Sequence, residues 1–181
     1  MAKLRVSGGE LRGRRLAGPP RGDEMRPTTE RVREAVFSML GDVGGARVLD
    51  LYCGTGALGI EALSRGAAAA TLVDSSPGPA QRNVDALGLA DRAKVVRSDA
   101  TSFLGRAPES SFDLVLCDPP YALADRLPEQ LDAPLRRALA PGGRVMVETA
   151  PGAPALTTLP LLTERAYGDT LVRIHGAEAG E

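Results

Sequence analysis

Residues 47–59 limit the fold more than any other stretch. Arg47-Val48-Leu49-Asp50-Leu51 is a short apolar-rich run that leads straight into Tyr52-Cys53-Gly54-Thr55-Gly56-Ala57-Leu58-Gly59. The run reads as a buried strand, and the segment from Ala57 to Arg65 reads as a short helix stopped by Gly66. A strand that turns through glycines into a helix starts a βαβ unit, and the pattern repeats down the chain. Residues 69–73, 94–97 and 112–117 read as further strands, each reaching an acid at its end: Asp74, Asp99 and Asp118. Ser76-Pro77 starts a helix towards Leu87-Gly88, and Leu127, Leu131, Leu135 and Leu139 mark another. Pro141-Gly142-Gly143 reads as a turn into a strand at 145–148. The runs 161–165 and 170–175, around Gly168-Asp169, read as a closing hairpin. The expectation is an α/β fold: a doubly wound, mostly parallel seven-stranded sheet with an antiparallel last strand.

The amino-terminal stretch has a different character. Leu4, Val6, Leu11 and Leu16 alternate loosely with charges around Gly8-Gly9, a hairpin signal, with arginines at the outward positions. Residues 1–33 hold nine Lys or Arg and four Asp or Glu, a net of +5, so the rest of the −1 chain carries −6. A basic arm on an acidic body suggests a polyanion partner. The expected division is a hairpin arm over residues 1–25 and a main domain over 26–181. Thr28 or Thr29 is a fit helix N-cap, with Val32, Val36, Met39 and Leu40 on one face. Arg31 and Arg33 fall off that stripe and read as free to face phosphate or solvent.

Composition narrows the chemistry. With 3% aromatic residues and no Trp, the core must come from Leu, Val and Ala, and each aromatic gains interest. Cys53 and Cys117, the only cysteines, fit neither a disulfide framework nor a zinc site, and read as reduced thiols in a cytoplasmic protein. No leader is expected after Met1-Ala2-Lys3-Leu4-Arg5, and no apolar stretch is long enough to span a bilayer. His175, the only histidine, reads as a surface residue of an edge strand, and no metal site is expected.

Gly54-x-Gly56-x-x-Gly59 alone matches a dinucleotide loop. Asp50, however, lies just upstream of the glycines, where a pyrophosphate would be repelled and a cation or amino group welcomed. A sulfonium cofactor with an α-amino group fits. Asp74 can take its ribose hydroxyls, Asp99 its adenine amino group, and the Ala100 N–H can donate to the ring. Tyr52, Ser75 and Thr28 complete the candidate cofactor set. Asp118-Pro119-Pro120-Tyr121 adds an acceptor array at the end of an apolar strand. Pro119 and Pro120 stiffen it, Asp118 and the Pro119 carbonyl can accept from a planar NH2 group, and Tyr121 can stack on its face.

Asp50-Leu51-Tyr52-Cys53-Gly54-Thr55-Gly56 resembles the S-adenosylmethionine motif of class I methyltransferases. Asp118-Pro119-Pro120-Tyr121 resembles the tetrapeptide of those that methylate exocyclic or amide nitrogens. Gly8-Gly9-x-Leu11-Arg12-Gly13-Arg14, the run Arg26 to Glu34 and the run Gly59 to Ala67 are similar to the bacterial 16S ribosomal RNA guanine-N2 methyltransferase family. That family often has Phe-Ala at Tyr52-Cys53 and Glu at Asp74. The resemblance implies a Rossmann-like class I fold, S-adenosylmethionine as cofactor, and methyl transfer to N2 of a guanine in 16S rRNA. It also implies a small ribosomal subunit or late assembly particle as partner. Arg5, Arg12, Arg14, Arg15, Arg26 and Arg31 are the candidate phosphate contacts. A DNA adenine-N6 methyltransferase and a protein glutamine methyltransferase use the same tetrapeptide, and a non-catalytic RNA-binding assembly factor is a further reading. With no apolar helix left over, a monomer is expected.

Overall fold

The computed structural model of the protein describes residues 4–19, 29–120, 123 and 126–176. The sheet is built from β1 (Arg47–Leu51), β2 (Ala69–Asp74), β3 (Ala93–Arg97), β4 (Phe112–Cys117), β5 (Leu139–Thr149), β6 (Leu161–Tyr167) and β7 (Thr170–Gly176). Its order is β3-β2-β1-β4-β5-β7-β6, with β7 antiparallel to both neighbours and β1 to β5 parallel. The helices are α1 (Glu30–Leu40), α2 (Ala57–Ser64), α3 (Gly78–Ala86), α4 (Ala100–Arg106) and α5 (Leu127–Ala138).

The continuous apolar runs follow from helices on both faces of the sheet. Val48, Leu72, Leu114, Leu116 and Met146 pack in one cluster with residues of α1, α2 and α3. Leu49, Leu51, Val73, Val115 and Val147 pack in the other with α4 and α5. The period-2 alternation of each strand thus feeds two cores. Leu127, Leu131 and Leu135 of α5 are each 3% exposed or less. Full burial of such a side chain is worth about 1.5–3 kcal/mol.

Several expectations change. Helix α4 went unread in the sequence; Asp99 is its N-cap, accepting from Ser102 N–H at 2.8 Å. Residues 141–143 lie within β5, where the register shifts against β4 from Phe112↔Leu139 to Leu114↔Arg144. The Pro-Gly-Gly segment is therefore an internal bulge, allowed by Gly142 at φ 71°, rather than a turn before the strand. His175 is not on an edge. The last strand inserts between β5 and β6, leaving His175 3% exposed beside Val145 and Leu161. Its Nδ1 lies 2.9 Å from the Leu159 carbonyl, so Nδ1 carries the proton.

Arg33 is likewise the reverse of the expectation. Its side chain is fully buried, donating to the Arg5 carbonyl and facing Glu61 Oε2 at 3.9 Å. Thr29, not Thr28, caps α1, accepting from Val32 N–H. Thr28 lies outside the described residues.

The arm over residues 4–19 closes by a single bridge, Arg5↔Arg15, flanked by bonds between Val6 and Arg14 and between Leu4 and Leu16. A longer ladder does not form because the backbone from Ser7 to Leu11 bonds to α2. Glu61 accepts from Ser7 N–H and Gly8 N–H at 2.8 Å each and from the Ser7 hydroxyl at 2.7 Å. Ser64 accepts from Leu11 N–H at 2.9 Å and donates to the Gly8 carbonyl. Val6 and Leu16, 1% and 6% exposed, enter the α1–α3 core. A side chain at Gly9 would put its Cβ 1.8 Å from the Ser64 carbonyl oxygen.

Candidate functional site

The strand order reverses between β1 and β4, because the chain builds outward through β2 and β3 and then returns. Open α/β sheets bind ligands at the carboxyl ends of strands flanking such a switch point. The glycine loop leaves β1 on one side of it, and Asp118-Pro119-Pro120 leaves β4 on the other.

The register sets the depth of each acid. Asp50 lies opposite Leu72 and Leu116, two residues below Asp74 and Asp118. Asp74 pairs with Arg97, so Asp99 stands two residues above it. In spatial order, Asp99, Asp74, Asp50 and Asp118 therefore form a stepped row rather than a level one. Asp50 is the floor, 1% exposed beneath α2. Its Oδ2 accepts from Gly59 N–H at 2.9 Å, and Oδ1 has no hydrogen-bond partner among the described residues. Burial pushes its pKa up to about 7, with the nearby Asp74 charge adding and the Gly59 bond opposing. This carboxyl is therefore half-ionised near neutral pH, and a cation beside it favours the charged form.

Gly59 makes that packing feasible. A Cβ there would lie 2.2 Å from Leu72 Cδ2 and 3.1 Å from Asp50 Oδ2. Gly56 caps α2 in the left-handed region at φ 76°, and Tyr52 also has positive φ, 58°. The half-buried Tyr52 ring packs on the α4–α5 core. Burial first, then the neighbouring Cys117 and Asp99, raises its phenol above the ordinary value. Burial likewise raises the Cys53 and Cys117 thiols, so both are protonated and inert as nucleophiles.

Asp74 holds two turns at once. Oδ2 accepts from Gly54 N–H at 2.9 Å and Oδ1 from Ser76 N–H at 2.8 Å. Each oxygen keeps a second lone pair for a hydroxyl donor. Ser75, beside it, is exposed. Asp99 spends one oxygen capping α4, and the Ser102 bonds hold its carboxyl below the usual range. Ala100 begins that helix, 3% exposed. Asp118 is partly buried, Pro119 buried and Pro120 exposed. The Pro120 carbonyl accepts from Leu123 N–H at 2.9 Å. Tyr121 and Arg26 lie outside the described residues.

A family model described as Conserved hypothetical protein 95 matches residues 4–176. Ribosomal RNA small subunit methyltransferase D of Escherichia coli is 43% identical over 122 residues, 66% of this chain and 61% of that protein. The protein of the same name from Haemophilus influenzae is 32% identical over 185 residues, covering 96% of this chain and 93% of the relative. The chain belongs to the ribosomal RNA small subunit methyltransferase D family. The solved structure described as Putative methyltransferase yhhF from Escherichia coli shares the fold at TM-score 0.81 and 36% identity, over 99% of this chain and all of that one. In the match to the Escherichia coli family member, the chain spans less than two thirds of the relative's length.

In this member of the family the described arginines proposed to meet phosphate separate into two kinds. Arg12, Arg14, Arg15 and Arg31 are exposed, whereas Arg5 is partly buried, with its guanidinium on the Gly13 carbonyl at 2.9 Å. The buried polar residues that seat the arm were not read as buried from sequence. Glu61, Arg33, Ser64 and Asn83 are each 3% exposed or less. Asn83 accepts from Ala17 N–H at 2.7 Å and donates to the Ala17 and Thr55 carbonyls at 3.1 and 2.9 Å. The available signal was a Glu and a Ser inside the otherwise apolar helix 57–64, where an all-apolar surface means burial. Among the described residues, no cluster of His, Cys, Asp or Glu could hold a metal ion, and no helix is long and apolar enough to cross a membrane.

Proposed function

We propose that this protein transfers a methyl group from S-adenosylmethionine to the exocyclic N2 of a guanine in 16S rRNA, within a small ribosomal subunit or late assembly particle. The observation that carries the reading is that Asp50 on β1 and Asp118 just after β4 stand on adjacent strands across the switch point, two residues apart in register. One offers a buried carboxylate with an unused oxygen beside a glycine loop, and the other an acceptor held by prolines.

The residues fit the cofactor. Asp50 suits its positive amino-acid end, Asp74 its ribose, and Asp99 with the Ala100 N–H its adenine. Tyr52, Gly54, Gly56 and Ser75 are the proposed remaining contacts, together with Thr28. When bound, the cofactor supplies an electrophilic methyl group on a sulfonium centre.

The guanine amine is a poor nucleophile because its lone pair is delocalised into the ring. Asp118 and the Pro119 carbonyl accept its two N–H bonds, localise the lone pair and aim it. Pro120 fixes that geometry, and Tyr121 is the proposed stacking partner for the base. Positioning of this kind contributes up to ~7–11 kcal/mol. The proton leaves N2 after the C–N bond forms, to Asp118 or to water. The base must first be unstacked. Arg12, Arg14, Arg15 and Arg31, with Arg5 and Arg26, grip phosphates without reading sequence. The protein acts as a monomer in the cytoplasm on this reading.

Labelled methyl transfer to undermethylated small subunits, followed by nucleoside analysis, tests it. The expected product is N2-methylguanosine; N6-methyladenosine or an absence of transfer would overturn it.

A further inference from the structure

The arm lies across three helices. Arg33 of α1 donates to the Arg5 carbonyl, Glu61 and Ser64 of α2 take the backbone from Ser7 to Leu11, and Asn83 of α3 takes Ala17. The face that carries Arg12, Arg14 and Arg15 is therefore continuous with the outer surfaces of α1 and α3. Arg31 is exposed on α1. On α3 the one Lys or Arg is Arg82, exposed and next in sequence to the buried Asn83.

The helix turns its two charges to different sides. Residues advance by about 100° each, so Arg82 stands between open solvent and the flank where Asn83 meets the arm. Asp85 stands about 200° round from Asn83, and it accepts from the Gln81 amide at 2.9 Å. It leaves Arg82 alone, although an acid three residues along a helix is within reach of pairing. Among the described residues Arg82 has no ion-pair or hydrogen-bond partner. Its guanidinium lies back along the helix: a Cβ at Gly78 would be 3.7 Å from Arg82 Nη1. Gly78 opens α3 just after Asp74 closes β2, so this charge reaches from the level of the arm towards the ligand-binding edge.

We propose that Arg82 is a phosphate contact that leads the RNA strand from the arm to the switch point. The inference rests on the functional reading above and adds a cation of the main domain to the grip. Within residues 4–19 the one acid is Glu10, and Arg92 pairs with it. The track therefore repels a basic partner and suits a regularly charged polyanion. A strand held only at the arm can swing about it, and a second hold fixes its direction. Arg82 sits on the helix whose Asn83 also holds the glycine loop at the Thr55 carbonyl, so that direction is set relative to the cofactor edge.

The test measures binding to undermethylated small subunits across a salt series for wild type, Arg82→Gln, Arg82→Lys and Lys94→Gln. Lys94 is the control. It is also exposed, but it shares the sheet face of Val96, which packs with α4 and α5 on the side away from the arm. One lost phosphate contact lowers the slope of log affinity against log salt by about 0.7–0.9. That fall is expected in Arg82→Gln. Arg82→Lys and Lys94→Gln are expected to keep the wild-type slope, and all three variants to keep the wild-type affinity for S-adenosylhomocysteine. An equal fall in Arg82→Gln and Lys94→Gln, the mark of net charge rather than contact, would overturn the inference. A loss of cofactor affinity in Arg82→Gln would do the same. An unaltered slope in Arg82→Gln, with subunits still methylated, overturns this inference only, whereas no methyl transfer by the wild type overturns the functional reading and this inference together.

Discussion

Asn83 and Ala17 exchange two hydrogen bonds, at 2.7 and 3.1 Å, and the same Asn83 amide reaches the Thr55 carbonyl of the glycine loop at 2.9 Å. One buried side chain on α3 therefore ties the basic arm to the loop that follows β1. Asn83→Ala strands three backbone groups and is expected to cost about 1–3 kcal/mol of stability. It is also expected to weaken S-adenosylhomocysteine binding several-fold, read by calorimetry beside urea unfolding. A variant with unaltered cofactor affinity would show that the clamp does not position the loop.

Glu61 has a larger predicted effect. It is fully buried, accepts three bonds from the arm, and faces both Arg33 and Arg65, the latter at 2.9 Å. Burial pushes Arg33 below its ordinary value while Glu61 opposes that shift. Removing one partner of a buried pair leaves an uncompensated charge and costs about 3–5 kcal/mol. Glu61→Ala is expected to lose that much in denaturant unfolding and to expose residues 4–19 to proteolysis. A loss under about 1 kcal/mol would contradict the buried network.

Asp50 sets a pH dependence. Its folded pKa of about 7 lies above its ordinary 3.8, so the folded state holds the proton longer than the unfolded one. Stability from this group is full below the unfolded value and is lost as pH rises to about 7. With Asp50 in its proposed place beside the cofactor's cationic end, cofactor binding is expected to run the opposite way, because a cation favours the ionised carboxylate. Affinity for S-adenosylmethionine is expected to rise with pH up to about 7 and then level off. Asp50→Asn should flatten both profiles; a variant that keeps both slopes would assign them to another group.

The exposed arm arginines carry a salt prediction. Replacing Arg12, Arg14 and Arg15 with Gln should weaken substrate binding and lower the slope of log affinity against log salt by roughly two. Cofactor affinity should stay constant. An unchanged slope would mean that these residues face solvent in the complex.

The sequence made the site's composition legible but not its depth. Asp74, Asp99 and Asp118 could be read as strand-end acids because apolar runs stop at them. That Asp50 sits two residues lower depends on inter-strand register, which no single run encodes. Arg33 and Glu61 escaped because a charged residue reads as surface until its partner, 28 positions away, is folded beside it. His175 was placed on an edge because sequence order was taken for strand order, and the final strand inserts inward. Residues 141–143 looked like a turn because Pro and Gly punctuate bulges as well as turns. The fold class, by contrast, rests on short apolar runs alternating with helical segments, a local pattern that the folded chain keeps.

The central claim is that Asp118 aims a guanine N2 at the methyl donor. The most direct measurement compares wild type and Asp118→Ala on undermethylated small subunits, with S-adenosylhomocysteine affinity measured on the same samples. We predict N2-methylguanosine from the wild type, and a rate lower by about 10²–10³-fold in the variant with cofactor affinity retained. A variant that methylates at the wild-type rate would contradict the account.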